Sequence, residues 1–264
     1  MPTSLISTLN SGAFVRTDTL FNQVYREATK VYKASEGYFD CTVAPLVNAW
    51  GFGFANKEKM DRAKVNQLLP LVGFSKINLI NDSLILPEGM LLGFNAIAQG
   101  YSVDLIAAFL RSKGDSNFLI EVGGELLASG TNADDKLWRI GVDKPKEEID
   151  INERFQFILD LENKALATSG NYRKFYEEEG VKYAHTINPF TGFPAQNSLL
   201  SVTVIHDKCV LADAFATAFM VMGLKSTKQF VKSYPEVEVY LVYTDAKGNW
   251  RTYVSPEMRA RIRN

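Results

Sequence analysis

The chain has 264 residues, 46% hydrophobic and 22% charged, an ordinary globular balance with enough apolar sequence for one large domain or two small ones. A net charge of −1 argues against a protein that coats nucleic acid or an anionic membrane, while leaving room for a phosphate-bearing small ligand. The two cysteines, Cys41 and Cys209, are too few and too far apart for a disulfide framework or a metal-ligand spacing, and both read as buried free thiols.

No segment reads as having the unbroken apolar length of a bilayer span, and the opening MPTSLISTLNSG lacks the basic-then-apolar pattern of a signal peptide. Residues 17–35 give the clearest helix, with Leu20, Phe21, Val24, Tyr25, Ala28, Val31 and Tyr32 on one stripe, Thr17 or Asp18 as cap and Gly37 as stop. Residues 36–53 mix aromatics and glycines without a period, which predicts a turn, a short strand and a loop. Asp40 there either meets a ligand or caps a turn, and Trp50 reads as core.

Residues 57–72 predict a short polar helix ending near Gly73, and residues 76–80 and 83–86 a hairpin around Asn81-Asp82. Residues 89–94 have strand character, turning helical from about Ala96 with Ile97, Tyr101, Leu105, Ile106 and Phe109 on one stripe and Gly114 as stop. The Asn95-Ala96 junction exposes backbone that a ligand can use, or is a plain connection. Residues 116–130 read as a strand interrupted at Gly123-Gly124 by a bulge or a close backbone approach.

Further strands fall at 138–142, 154–161 and 199–205, and a closing hairpin joins 237–243 to 249–254. Strands and a few long helices mix without strict alternation, so the fold class is α+β. No repeat, linker or low-complexity segment is visible.

The densest chemistry lies at 165–223. A Thr-Ser-Gly turn, His185 and a Pro/Gly-punctuated loop precede an Ala-rich helix carrying Asp213 and Thr217 one turn apart on the same face. A carboxylate and a hydroxyl among alanines suit a hard cation, and capping by Asp213 with packing by Thr217 accounts for the pair as well. His185, on a rigid turn, suits a general base, a ring contact or a structural role. His206 reads as a solvated strand end. Dinucleotide-binding, Walker and nucleophile-elbow motifs are absent, and two histidines exclude His-rich metal chemistry, which leaves oxygen ligands and points to magnesium.

Seven blocks, GYFDCTVAPLVNAWGFG, FNAIAQGYSVD, EVGGELLASG, WRIGVDKP, ATSGNYRKFY, HTINPFTGFP and LADAFATAFMVMG, occur in one order over nearly the whole chain. In these the chain resembles the ApbE flavin transferases, the FAD:protein FMN transferases. The resemblance implies an α+β fold with a T-fold-like duplication, two related β-rich halves with packed helices around a FAD site. It implies one such domain over 1–264, shortened at its N-terminus relative to the family.

The implied activity is a magnesium-dependent transferase reaction, protein flavinylation. FMN passes from FAD to a threonine hydroxyl of a target protein and AMP leaves. The alternatives are a magnesium-dependent FAD diphosphatase giving FMN and AMP, or a flavoprotein that only binds FAD. By motif, the metal-binding set is Asp213, Thr217 and the carbonyls of Ala96 and Ala216. The FAD contacts are Tyr38, Phe39, Asp40, Gly93, Gln99 and Ile187, and His185 is the catalytic histidine. The chain departs from the family at Gln99 (usually Lys or Glu), Asn188 (usually Asp) and Gly93 (typically Asp). The implied partners are FAD and target proteins with an acceptor threonine, such as flavin-bearing membrane electron-transfer subunits, and not nucleic acid. The implied location is the periplasm, as an exported, membrane-anchored lipoprotein.

Overall fold

The computed structural model describes residues 4–53, 57–145, 154–171, 175–178 and 181–263. The elements in chain order are α1 (Leu5–Asn10), β1 (Val15–Arg16), α2 (Thr19–Ala34), α3 (Ala44–Ala49), α4 (Arg62–Leu68), β2 (Ser83–Leu84), α5 (Ala98–Ser112), β3 (Phe118–Val122), β4 (Glu125–Ser129) and β5 (Trp138–Asp143). They continue with β6 (Phe155–Leu161), β7 (Lys164–Gly170), β8 (Phe175–Glu178), β9 (Val181–Ala184), β10 (Leu199–His206), α6 (Cys209–Ser233), β11 (Glu238–Thr244), β12 (Trp250–Val254), α7 (Pro256–Arg261) and β13 (Ile262–Arg263). The chain divides into two compact units, one of Met1–Ala96 with Tyr176–Gln196, the other of Ile97–Phe175 with Asn197–Asn264.

The first unit is built on α2. Asp18 caps it by accepting the Phe21 amide at 2.8 Å, and Phe21, Val24, Tyr25, Ala28 and Val31 form its buried stripe. Leu20, expected in that stripe, is exposed. Residues 36–53, expected as turn, strand and loop, instead contain α3; with six residues and Pro45 in its first turn it is too short to show a period.

The polar helix shrinks to α4, capped by Asp61 and followed by 3-10 turns at Leu69–Leu71 and Phe74–Lys76. Of the expected hairpin at 76–86 only the Ile80–Ser83 bridge forms, across Asn81 and Asp82, both with positive φ; β2 pairs with β1. Residues 89–94 form no strand. Leu46, Trp50, Val65, Val72 and Ile187 make a buried cluster in this unit.

The second unit carries an antiparallel six-stranded sheet in the order β12-β11-β10-β7-β4-β3 and a three-stranded one, β13-β6-β5. Between them lies a core that includes Leu126, Ile140, Val142, Phe157, Leu159, Leu161, Leu166 and Ile205. Fully burying one such side chain stabilises by about 1.5–3 kcal/mol.

Residues 168–170, expected as a turn, end β7, where they pair with 201–203 of β10. Gly123 and Gly124, both at positive φ, form the two-residue turn of the β3–β4 hairpin, with Val122 opposite Glu125; the glycines thus mark a hairpin and not a bulge.

α5 buries Gly100, Val103 and Ala107, while Leu105, Ile106 and Phe109 of the expected stripe are exposed. The small residues face inward because α5 runs close against α6: a Cβ on Gly100 would lie 2.4 Å from the Cys209 carbonyl oxygen. α6 is kinked at Gly223, and its first amides, those of Cys209 and Val210, each donate at 2.9 Å to the Asp104 carboxylate of α5. Contrary to the sequence expectation, α6 is long and apolar enough to cross a membrane, but Phe215, Ala216, Phe219 and Met220 are buried within the unit.

Candidate functional site

In the second unit, α6 sets Asp213 in its second turn and Thr217 one turn further on. Asp213 is therefore no helix cap. The residue is 6% exposed, and its Oδ2 accepts the Gly100 amide at 3.0 Å. Burial pushes its pKa up to about 6, with only the Gly100 hydrogen bond pulling the other way. Among the described residues no ion pair reaches it.

Thr217 Oγ1 stands 3.4 Å from Ser169 Oγ, so strand pairing of β7 aims a second hydroxyl at the same helix face. Ala216 lies between them in sequence, buried. The candidate donors on Asp213, Thr217 and Ser169 are all oxygens, and among the described residues no basic side chain pairs with the Asp213 carboxylate, which fits a hard cation such as magnesium.

Gln99, in the first turn of α5, is exposed, and its Nε2 donates to the Val122 carbonyl at 3.3 Å. A Cβ on Gly123 would meet that nitrogen at 2.0 Å. Glu125 follows the glycine turn. Burial, then the Asp213 charge, push its pKa up to about 7, and its Oε2 is buried with no hydrogen-bond partner.

In the first unit the Asp40 carboxylate is taken up locally. Oδ1 accepts the Thr42 amide at 2.7 Å and the Thr42 hydroxyl at 2.5 Å; Oδ2 accepts the Phe74 amide at 2.9 Å. Burial pushes its pKa up, against these hydrogen bonds. Asp40 thus fixes the loop that presents Tyr38, whose half-buried ring packs edge-on to Phe190 at 4.9 Å. Phe39 is buried, its amide donating to Ser35 Oγ. Gly93 is tied beside this loop by its amide, which donates to the Cys41 carbonyl at 2.8 Å. Ala96 is half-buried just before the second unit begins.

The turn after His185 is rigid. Asn188 Oδ1 accepts the Phe190 and Thr191 amides, and the Asn188 and Gly192 amides donate to the Phe193 and Asn188 carbonyls. An Asn accepts these two amides as an Asp would. Trp50 Nε1 pins the loop by donating to the Gly192 carbonyl at 2.9 Å. His185 is half-buried, 6.5 Å from the Phe52 ring. The Ile187 side chain is buried in the cluster with Leu46 and Trp50, so a ligand contact at this position falls to its backbone.

Both cysteines are buried free thiols. His206, expected at a solvated strand end, is half-buried, and burial lowers its pKa. Sequence reasoning singled out neither Ser169 nor Glu125; the Gly123-Gly124 pair was the available signal for the second. Tyr172 and Arg173 of the ATSGNYRKFY block lie outside the described residues.

The structure is that of an α+β protein with a buried carboxylate beside two hydroxyls at a core helix of one unit, and an aromatic loop packed on a histidine turn in the other. The chain belongs to the ApbE family, whose profile matches residues 1–241. It is 38% identical over 213 residues to the FAD:protein FMN transferase of Vibrio cholerae serotype O1, covering 79% of this chain and 62% of that protein. It is 34% identical over 238 residues to the protein of that name from Haemophilus influenzae, covering 86% of this chain and 67% of that one. The chain thus spans about two thirds or less of the length of these curated relatives.

Among solved structures, the flavin transferase ApbE from Vibrio cholerae superposes with a TM-score of 0.87 at 31% identity, covering 99% of this chain and 84% of that one. The apo flavinyl transferase ApbE from Pseudomonas stutzeri gives 0.87 at 28%, covering 98% and 81%.

Proposed function

We propose that this protein transfers FMN from FAD to a threonine hydroxyl of a target protein. The observation that carries the reading is the buried Asp213 carboxylate, one helical turn from Thr217 and without an ion pair among the described residues. The names of the relatives supply the substrate class.

In this reading the Asp213 carboxylate and the Thr217 hydroxyl would hold a divalent cation, to which the family resemblance adds the Ala216 and Ala96 carbonyls. When bound, magnesium neutralises diphosphate charge and orients the FMN phosphorus for in-line attack. The Gly100 amide orients the carboxylate that does the holding. The loop fixed by Asp40, with Tyr38 edge-packed on Phe190, offers aromatic surface for FAD.

The threonine oxygen forms a bond to the FMN phosphorus, the bond from that phosphorus to the bridging diphosphate oxygen breaks, and AMP leaves with that oxygen. His185 accepts the hydroxyl proton. The same reading puts the enzyme and its targets on the outer side of the cytoplasmic membrane, which cell fractionation tests.

The test is incubation with FAD, magnesium and a threonine-bearing target domain, following AMP and covalent target fluorescence. AMP with labelled target is the expected result. AMP with free FMN and no labelled target means hydrolysis, the absence of both AMP and label means binding alone, and either of these overturns the reading. His185→Ala is expected to lower labelling by at least about 100-fold while FAD is still retained. Loss of FAD binding in that variant would make the histidine structural.

A further inference from the structure

Glu125 opens β4, where a side chain can turn to solvent at little cost. Its Oε2 is instead fully buried, with no hydrogen-bond partner and, among the described residues, no ion pair. The other buried side-chain oxygen without a hydrogen bond among the described residues, Asp160 Oδ1, belongs to a carboxylate that pairs with Arg263 through its other oxygen. Leaving a carboxylate oxygen buried and uncompensated is expensive in a folded chain, and either a proton or a nearby cation removes that cost.

The surroundings point to a cation. The Gly123 turn brings the Glu125 Oε2 within 3.9 Å of where a Cβ on Gly123 would stand, a position that lies 2.0 Å from Gln99 Nε2. The same turn receives the Gln99 amide, and the next residue, Gly100, donates to Asp213. Two carboxylates thus converge on the first turn of α5 with no basic side chain paired to either among the described residues.

We propose that Glu125 is a further carboxylate of the cation site in this unit, lending its negative charge to a divalent ion held by Asp213 and Thr217. The inference rests on the cation reading above and adds a residue to it. Two carboxylates on neighbouring elements repel in the metal-free protein, and one cation offsets both. Gly123 and Gly124 serve the site by setting the hairpin turn that points Glu125 inward.

Manganese affinity, measured by electron paramagnetic resonance without FAD or target, tests this alongside the melting temperature of the metal-free protein. Glu125→Gln keeps the shape and removes the charge. It is expected to bind manganese at least about tenfold more weakly and to melt, metal-free, no lower than the parent. Glu121→Gln, at an exposed neighbour whose Oε1 accepts the Gly124 amide, is expected to leave manganese affinity unchanged. Should Glu125→Gln fold poorly, Glu125→Ala is read the same way.

Unchanged affinity in the Glu125 variant, with affinity lost in Asp213→Asn, overturns the role of Glu125 alone. Unchanged affinity in both overturns the cation reading with it. Weakening by Glu121→Gln equal to that by Glu125→Gln makes the effect one of general surface charge and overturns the proposal too.

Discussion

A Cβ added at Gly93 would touch only the Ala44 Cβ, at the ordinary distance of 3.6 Å. The backbone there needs no glycine, since its φ lies outside the left-handed region and its amide hydrogen bond to Cys41 survives substitution. Gly93→Asp restores the residue typical of the family and is expected to fold normally, with stability within about 0.5 kcal/mol of the parent. A carboxylate accepting from a ribose or adenine donor gains a charge-assisted hydrogen bond, so FAD is expected to bind roughly three- to tenfold more tightly. Quenching of flavin fluorescence on titration measures it. Weaker binding would show that at this position the added charge meets the diphosphate and not a donor.

At the scale of elements, the α5–α6 contact decides where the site's carboxylate points. Gly100 lets the helices approach: a Cβ there would lie 2.4 Å from the Cys209 carbonyl and 2.8 Å from the Asp213 Cβ, and neither neighbour is the far end of a flexible side chain. Gly100→Ala is therefore expected to destabilise by about 1–3 kcal/mol, the range for overpacking a tight contact. Chemical denaturation measures the loss. Separating the helices also pulls the Gly100 amide from Asp213, so manganese affinity should fall in the same variant.

This contact explains what the sequence showed and what it hid. The stripe of α2 was legible because large apolar residues face the core in a regular period. In α5 the same rule selected Leu105, Ile106 and Phe109, which are exposed, because close helix packing puts Gly100, Val103 and Ala107 inside. Asp213 and Thr217 were legible as a pair from their spacing. Ser169 was not, because residues 168–170 have turn composition and owe their strand geometry to pairing with β10, which local sequence does not carry. Asp40 was visible as a polar residue among aromatics, but its engagement with Thr42 and Phe74 depends on a 3-10 turn more than thirty positions on.

For the whole molecule, the two compact units differ in what a cation can do to them. Asp213, Thr217, Ser169 and Glu125 all belong to the second, on α6, β7 and β4. A ligand that binds only the folded state stabilises it by RT ln(1 + [L]/Kd), about 2.7 kcal/mol at a hundredfold excess over Kd. Because the chain has two units, the stabilisation need not appear as a uniform rise in melting temperature.

Hydrogen exchange resolves where it acts. Magnesium is expected to slow exchange most in α6, β7 and the β3–β4 hairpin, where the candidate ligands and Glu125 sit. Chelation should reverse the effect. Asp213→Asn should remove it at matched ionic strength, since a hydrogen-bonding amide keeps the Gly100 contact but supplies no charge. Protection that spreads evenly over both units, or that survives in Asp213→Asn, would assign the cation to general charge screening and would detach the buried carboxylate from metal binding.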